Sequence, residues 1–404
     1  MKSIFLIGVG EIGLNQIRWA QDAGFFVITS NMDPDAPAFK LADVGVVLNG
    51  SDTRSLVGYA LENQERYNIL AVYSGNDFGV FSASCVAQSL KVPSPSVAAV
   101  SRGLSKTLMK TCWAHNGVPT PAFQMVRTET EARQCAELFG MPIILKPPDS
   151  SGSQGIQVIE KMGELEPALD RAFRYSKRDQ MIIEKHVDGR HIDANAFFWG
   201  DRFYATGLSE RYFSPIPYRV PIGGYEPAIL SVDEKDMVNT VFEKATRALG
   251  INQGPVKGDF ILNSEGIHVI EVSARFHGDV GTCHSTFYRT GHSHLQAYFE
   301  TLFTRRVPFQ LIDDIASSTR ISGWRVLDLP EGHSTNLRRI ISKCSELDGV
   351  DDVFIRPRRP EVASHLHNNN DVVGFVWASG KSKQLVDAAL DGFKSELREN
   401  LNFQ

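Results

Sequence analysis

The first hundred residues alternate short apolar runs with segments of helical periodicity. The apolar runs read IFLIGVG, FFVITS, VGVVL and NILAVYSG, and helical periodicity covers residues 12–23 and 56–67. Strands that alternate with helices at this spacing favour a parallel sheet covered on both faces. We therefore predict an α/β N-terminal domain over residues 1–100.

The pattern changes between residues 93 and 121, where PSPS and GVPTP indicate a boundary. The next segment contains apolar runs around a Gly/Ser-rich loop and a helical stretch near residues 233–249. It ends in two apolar runs joined by a turn at residues 263–266, which predict a hairpin. A further α+β segment begins near residue 312. The predicted domains are residues 1–100, 101–311 and 312–404.

Composition narrows the class of protein. The 404 residues are 42% hydrophobic and 22% charged, which is typical of a globular chain of two to three domains. A formal charge of −5 excludes a broadly basic surface, so we expect neither nucleic acid nor a membrane as a partner. The apolar runs are shorter than the ~18–20 residues of a membrane helix, and the first is too short for a signal peptide. The five scattered cysteines favour reduced thiols, so we expect a cytoplasmic protein.

Three glycines, Gly8, Gly10 and Gly13, form the pattern GVGEIG between the first predicted strand and helix. Such a turn can place backbone N–H groups near a phosphate, but it also serves close packing of a strand on a helix. Ser30 and Asn31 close the second strand, where a dinucleotide-binding domain has an acidic residue. A nicotinamide-dependent oxidoreductase therefore remains an alternative.

Lys146 closes the run PIILK and is followed by the loop DSSGSQG at residues 149–155. Small residues allow successive N–H groups to point at an anion, and the lysine adds a charge, so a flexible phosphate-binding loop is one interpretation. A polar hairpin tip is the other. The sequence does not match the P-loop pattern GxxxxGK[ST].

Asp259 and Glu271 lie twelve residues apart on the two arms of the predicted hairpin. Two carboxylates among apolar neighbours repel each other and lose hydration, so a bound cation is the simplest explanation for their position. Oxygen ligands suit Mg²⁺ that carries nucleotide phosphates. Ser273 and Arg275 follow on the same face and add a hydroxyl and a guanidinium that could grip a phosphoryl group. A salt-bridged, solvent-facing strand is the alternative interpretation.

The order of these features resembles the ATP-grasp superfamily, and within it the carboxylate-amine (L-amino-acid) ligase branch. In chain order, the features are Lys106, Lys146, the glycine-rich loop, IIEKHVDG, Asp259, Glu271 and Arg275. VITSNMDPDAPAFKLAD and NNDVVGFVWASG resemble parts of the family's N-terminal and C-terminal segments. The resemblance implies a Rossmann-like N-terminal parallel sheet domain and a two-lobed ATP-grasp centre with a lid at about residues 120–185. It also implies a small C-terminal α+β domain.

The resemblance implies ATP and Mg²⁺ as cofactors. Lys106 and Lys146 would bind the phosphates, Glu184 would accept a hydrogen bond from the adenine amino group, and Arg275 and Lys146 would be catalytic. The remaining nucleotide-binding residues that it implies lie in the glycine-rich loop, in the hinge strand and just beyond: Ser150, Ser151, Gly152, Ser153, Gly155, Lys185, His186, Val187, His191 and Asp193.

Two positions depart from the family pattern. The metal ligands implied here are Asp259, Glu271 and Ser273, where many members have an asparagine in place of the serine. Because a serine hydroxyl is a weaker ligand than an amide oxygen, the number of magnesium ions stays open. His191 stands where the family has a ribose-binding acid, and Asp193 could take that role.

Residues 210–227 combine arginines with aromatic side chains and resemble the acceptor loop of the ligase branch. Arginine binds carboxylates with two hydrogen bonds and aromatic side chains shape pockets, although a Pro-rich ordered loop needs no ligand. The predicted substrate-site residues are Arg211, Tyr212, Arg219, Tyr225, Glu226, His277 and Asp279. The histidines between residues 277 and 294 fit no metal-binding spacing.

These features together predict an ATP-dependent ligase that joins a small carboxylate and an amine, both amino-acid-like, through an acyl phosphate, with release of ADP and phosphate. The resemblance also implies a homodimer. The alternatives are an ATP-grasp carboxylase that uses bicarbonate, the oxidoreductase, and a nucleotide-binding regulatory protein with an inactive site. Against the carboxylase, residues 149–155 are shorter and less glycine-rich than the loop of biotin carboxylase, and the sequence has no Met-Lys-Met centre.

Overall fold

The computed structural model describes residues 1–176, 179–278, 283–327, 341, 345–356 and 366–402. Its strands form three sheets, one parallel and two antiparallel. This confirms the predicted mixture of α/β and α+β structure. None of the helices in these residues combines the length and the apolar character that a membrane crossing requires.

The N-terminal sheet contains four parallel strands in the order β3-β2-β1-β4. The strands are β1 (Ser3–Ile7), β2 (Phe26–Asn31), β3 (Val44–Val47) and β4 (Ile69–Tyr73). The helices are α1 (Leu14–Asp22), α2 (Ala38–Leu41), α3 (Thr53–Tyr67) and α4 (Val80–Leu90). The side chain of Asp52 caps α3 by accepting a hydrogen bond from the Ser55 N–H, and left-handed Asn68 ends this helix. The alternation of strands and helices is the one that the sequence predicts.

Two helices, α5 (Val97–Leu104) and α6 (Lys106–His115), lead to a four-stranded antiparallel sheet. Its order is β5-β8-β6-β7, with β5 at Phe123–Val126, β6 at Ile143–Lys146, β7 at Gln157–Ile159 and β8 at Met181–Lys185. The helices α7 (Glu129–Phe139) and α8 (Leu165–Phe173) bury their small and aliphatic residues against it. The Gly/Ser-rich loop joins β6 to β7, which run antiparallel, as the strand–loop–strand pattern predicts.

The largest sheet has eight antiparallel strands in the order β13-β12-β9-β10-β11-β14-β16-β15. They are β9 (Arg190–Trp199), β10 (Arg202–Phe213), β11 (Pro221–Glu226), β12 (Gly254–Asn263), β13 (Gly266–Ser273), β14 (Ile321–Val326), β15 (Val350–Ile355) and β16 (Gly374–Gly380). The accompanying helices are α9 (Val232–Ala248), α10 (His284–Thr290), α11 (His294–Thr304), α12 (Phe309–Ser317) and α13 (Lys383–Asn402). The sequence predicts a domain boundary at residue 311. Because β14 pairs with β11, one sheet nevertheless contains strands from both sides of this boundary.

The interpretation of residues 210–227 as a loop is wrong for most of their length. β10 extends to Phe213, and β11 begins at Pro221 and pairs with both β10 and β14. The backbone hydrogen bonds of this segment are therefore made in the sheet, which fixes the face on which each side chain lies.

One hydrophobic cluster joins the N-terminal sheet to the large sheet. Leu6 and Val27 of the first sheet share it with Phe197 of β9 and with Tyr298 and Phe299 of α11. Phe276, which directly follows the predicted catalytic residue Arg275, lies in the same cluster.

Candidate active site

A buried glutamate with two lysines lies at the end of β8. The Glu184 Oε2 atom is 3.1 Å from Lys110 Nζ and 3.0 Å from Lys146 Nζ, and Lys110 also donates to the Thr120 hydroxyl at 2.8 Å. The other carboxylate oxygen, Oε1, is buried and has no hydrogen-bond partner among the described residues. A buried acceptor without a donor costs about 1–3 kcal/mol, so a ligand that donates to it would be stabilised here.

The charges around Glu184 favour an anionic ligand. Burial opposes ionisation of this carboxyl, but the ammonium groups of Lys110 and Lys146 outweigh it and lower its pKa. Burial lowers the pKa of Lys110 to about 8, although Glu184 opposes this shift. Burial also lowers the pKa of Lys106, against the attraction of Glu271. Two lysines contact Glu184, and Lys106 is close enough to Lys146 for their charges to interact, so the region carries a local excess of positive charge in a chain whose formal charge is −5.

The Gly/Ser-rich loop lies against two other segments. Three of its residues, Gly152, Ser153 and Gly155, have positive φ angles of 65°, 61° and 73°. The Ser153 hydroxyl donates to the Arg219 carbonyl at 2.8 Å, and Asn369 donates its N–H to the Gly152 carbonyl at 3.0 Å. The Lys106 ammonium donates to the Ser150 carbonyl. The structure thus brings the loop together with Lys106 and with residues of the β10–β11 connection.

The carboxylates of the predicted hairpin lie directly opposite each other on β12 and β13. Asp259 pairs with Glu271 in the register of the two strands, as their spacing predicts. Lys257 Nζ bridges them, at 3.1 Å from Asp259 Oδ2 and 2.8 Å from Glu271 Oε1. Burial opposes ionisation of both carboxyls, but nearby cations outweigh it and lower their pKa values: Lys257 acts on both, together with Arg211 at Asp259 and Lys106 at Glu271. The pair therefore stays anionic and already accommodates a cation.

A second group of charges adjoins this pair on β9 and β10. Arg211 bonds to Asp193 and lies 3.1 Å from Asp259 Oδ1. His277 Nε2 lies 2.6 Å from the same Asp259 oxygen. Donor atoms of Asp193, Asp259 and His277 all lie within 4.8 Å of one another, close enough to share a metal ion. Arg211 and His277 already contact Asp193 and Asp259, whereas Glu271 is the most exposed of the three carboxylates, at 29%.

Arg275 follows β13 and contacts the N-terminal domain. Its Nε lies 2.6 Å from Asp77 Oδ1, and the Ser273 hydroxyl lies 3.5 Å from the same oxygen. Lys106 is close enough to the carboxylates of Asp77 and Glu271 for their charges to act on its pKa. The structure thus gathers Lys106, Arg275 and the carboxylate pair into one region.

The remaining nucleotide-site candidates lie around the ends of β8 and β9. Lys185 is exposed and donates its N–H to the Ala122 carbonyl at 2.9 Å, and His186 and Val187 are half-buried. His191 Nε2 contacts the Arg219 guanidinium at 2.7 Å. Burial lowers the pKa of His191 to about 3, so this ring is neutral at pH 7. Ser151 and Gly155 complete the loop, where Gly155 packs against Pro147.

Three predicted substrate residues lie away from this group. Tyr212 and Tyr225 pack against each other and against Arg325 beside the C-terminal helix. Along β10, Arg211 and Tyr212 are adjacent, so their side chains lie on opposite faces of the sheet. Glu226 is buried among Thr286, Arg289 and His294. Their substrate role stays a prediction, and Asp279 lies outside the described residues.

Sequence reasoning missed Lys110, Lys257 and Asp77. Lys110 is four residues after Lys106 on α6, so helical periodicity places both lysines on the same face of the helix. Lys257 is two residues before Asp259 on β12, so strand periodicity places both side chains on the same face of the sheet. Asp77 follows β4, and only the rule that ligands bind at the carboxyl ends of parallel strands would have indicated it.

The glycine-rich turn of the N-terminal domain lies beside a separate cavity. This cavity has a volume of about 310 Å³ and is lined by Gly8, Gly10, Glu11, Asp33 and Phe78, among others. The Asn31 amide donates to the Val9 carbonyl at 2.8 Å and the Asn76 amide to the Gly8 carbonyl at 2.9 Å, so the turn is held by side chains of neighbouring strand ends.

These features define a class of protein: a parallel α/β sheet joined to two antiparallel sheets, with a buried glutamate–lysine cluster and a carboxylate pair on neighbouring elements. Residues 105–279 match the ATP-grasp domain family. The L-amino acid ligase from Bacillus licheniformis has a similar structure, with a TM-score of 0.80 and 18% sequence identity. The comparison covers 99% of this chain and 97% of that chain.

Curated relatives match part of the chain. The D-alanine–D-alanine ligase of Bordetella avium is 27% identical over 183 residues, which cover 42% of this chain and 55% of that protein. An uncharacterized protein of Sinorhizobium fredii is 26% identical over 229 residues, which cover 56% of this chain and 47% of that protein. The chain thus spans about half the length of these relatives. The match to the ATP-grasp domain family covers residues 105–279, which make up less than half of the chain.

Proposed function

We propose that the protein is an ATP-dependent ligase that joins a small carboxylate to an amine, both amino-acid-like. The observation that carries this proposal is the position of the Asp259–Glu271 pair next to Arg275 and Lys106, near the buried cluster of Glu184 with its lysines. A nucleotide whose base lies at Glu184 would extend its phosphates toward the carboxylate pair.

The pocket residues fit ATP. The unpartnered Oε1 of Glu184 is an acceptor suited to the adenine amino group, whereas the carbonyl oxygen of guanine would leave it without a donor. Lys106 and Lys146 supply charge for the phosphates, and residues 149–155 supply backbone N–H groups. Lys185, His186, Val187, His191 and Asp193 are proposed to line the base and ribose.

The carboxylate pair fits Mg²⁺. Asp259 and Glu271 are ionised and offer hard oxygen ligands, and the ammonium of Lys257 shows that a cation is stabilised between them. Ser273 would contribute its hydroxyl. When bound, the metal ion would supply Lewis-acid polarisation and charge neutralisation at the transferring phosphoryl group.

The proposed reaction has two steps. A carboxylate oxygen attacks the γ-phosphorus of ATP, the bond from this phosphorus to the ADP oxygen breaks, and ADP leaves. The amine nitrogen then attacks the carbonyl carbon, the carbon–oxygen bond to phosphate breaks, and the amine proton passes to solvent. Arg275, Lys106 and Lys146 would orient and neutralise the reacting oxygens, so no protein nucleophile is required.

Phosphate release with ATP, Mg²⁺ and pools of free amino acids tests this function. We expect release that requires a carboxylate and an amine together, with one ADP formed per amide. Release that requires bicarbonate would instead support a carboxylase. Turnover of a nicotinamide cofactor without phosphate release would contradict the proposal and support an oxidoreductase.

We also propose a cytoplasmic location. Cys85, Cys112, Cys135 and Cys283 form no disulfide with one another in the part of the chain that the structure describes, as expected in a reducing compartment. The predicted homodimer and the domain bounds remain predictions, which light scattering and limited proteolysis would test.

A further inference from the structure

Asp77 makes a two-point ion pair with the guanidinium of Arg275. Arg275 Nε donates to Asp77 Oδ1 at 2.6 Å and Nη2 donates to Oδ2 at 2.8 Å, while Nη1 donates to the Phe276 carbonyl at 2.8 Å. These contacts use three of the five guanidinium N–H groups and fix its plane at both edges. Two N–H groups, one on each terminal nitrogen, remain for other oxygens.

The loop that carries Asp77 is fixed to the strand ends of the N-terminal sheet. The Ser74 hydroxyl donates to the Ile7 carbonyl at 2.9 Å, and the Asn76 amide donates to the Gly8 carbonyl at 2.9 Å. The Gly79 N–H donates back to the Asn76 side chain at 2.9 Å. The orientation of Arg275 is therefore set by the N-terminal domain and not by its own strand alone.

We propose that Asp77 is a positioning residue, through which the N-terminal domain orients Arg275 for the phosphoryl-transfer and amide-forming steps. This inference rests on the proposed function. Because both Asp77 oxygens accept from Arg275, a substrate carboxylate cannot take the same two-point contact, and Arg275 acts on reacting oxygens through its remaining N–H groups. The same contacts leave Asp77 unsuited to take a proton from the amine.

A purely structural role for the ion pair is the competing explanation. The N-terminal sheet and the large sheet already share the hydrophobic cluster around Leu6, Phe197 and Tyr298, so we expect the fold to persist without this contact. Asp77→Asn keeps the shape of the side chain and removes one acceptor and the charge. Asp22→Asn, at the exposed end of α1, is the matched control.

The test measures trapping of the acyl phosphate by hydroxylamine, together with phosphate release. We expect Asp77→Asn to lower kcat about 10- to 100-fold while KM for ATP changes less than about twofold, because a small misplacement of a catalytic group costs on this scale. Asp22→Asn should match the wild type. In a double-mutant cycle with Arg275→Met, adding Asp77→Asn should cost nothing further. Additive effects, or a kcat for Asp77→Asn within about threefold of the wild type, would overturn the proposal.

A second measurement separates this proposal from the proposed function. A wild type that releases no phosphate with any pool counts against the ligase. The NMR signal of the Arg275 Nε–H group, which is assigned by its loss in Arg275→Met, then tests whether Asp77 holds the guanidinium in place. We expect slow exchange with water in the wild type and at least about tenfold faster exchange in Asp77→Asn. Equal exchange rates in the two proteins would show that Asp77 does not hold the guanidinium.

Discussion

Two carboxylate clusters in the large sheet differ in access to solvent. Glu226 on β11 is 1% exposed and is surrounded by the Thr286 hydroxyl at 2.6 Å and the Arg289 guanidinium at 3.5 Å. The side chains of Asp259 and Glu271 are 18% and 29% exposed, and Lys257 bridges them. Both clusters pair acids with cations, but of these two only the second is open to solvent.

The balance of burial and charge also differs. Burial raises the pKa of Glu226 to about 7, since it outweighs the nearby Arg289. At the Asp259–Glu271 pair the opposing charges outweigh burial and lower both pKa values. A metal site needs carboxylates that stay ionised at neutral pH, so the second cluster has the properties of a metal site and the first does not.

The largest effect is expected from Glu271→Ala. This change removes one oxygen donor of the carboxylate pair, so turnover should fall about 100-fold or more, because metal-ion stabilisation contributes several kcal/mol. Phosphate release and circular dichroism should show an inactive but folded protein. Glu265→Ala, at the exposed turn of the same hairpin, is the control and should retain activity. Near-normal turnover of Glu271→Ala would contradict the proposal that Asp259 and Glu271 bind Mg²⁺.

An intermediate effect is expected from Lys110→Met. Glu184 then keeps only Lys146 as a cationic partner, and the local positive charge falls by one. Calorimetry should show ATP binding weakened at least about 10-fold, since a hydrogen bond to a charged group contributes about 1.5–3 kcal/mol. Lys40→Met, on the exposed side of α2, should bind ATP as the wild type does. Unchanged binding by Lys110→Met would mean that this lysine serves stability alone.

A smaller effect is expected from Glu226→Gln, and it should appear in stability. Because the pKa of Glu226 is raised in the folded state to about 7 from an ordinary value of 4.5, the native protein binds this proton more tightly than the unfolded chain does. Wild-type stability should therefore decrease as pH rises through this window, by at most about 3 kcal/mol, and then level off. Thermal unfolding between pH 5 and 8 should show a weaker decrease for Glu226→Gln. Parallel pH curves would contradict the raised pKa.

Local features of the site could be predicted from the sequence. The hairpin that pairs Asp259 with Glu271 forms between neighbouring runs, so spacing and a turn were sufficient. The face of Tyr212 was not predictable, because residues 210–227 were interpreted as a loop and the pairing of β11 with β14 depends on residues about a hundred positions away. Asp77 was missed for the same reason, since it reaches Arg275 across 198 positions.

The central claim is that ATP binds with its base at Glu184 and its phosphates at the Asp259–Glu271 pair. A crystal structure with Mg²⁺ and a non-hydrolysable ATP analogue tests it most directly. We predict the adenine amino group on Glu184 Oε1 and a metal ion on Asp259 and Glu271, with the Lys257 ammonium moved from between them. A nucleotide found instead in the cavity beside Gly8 and Gly10, with Lys257 still bridging the carboxylates, would contradict the account.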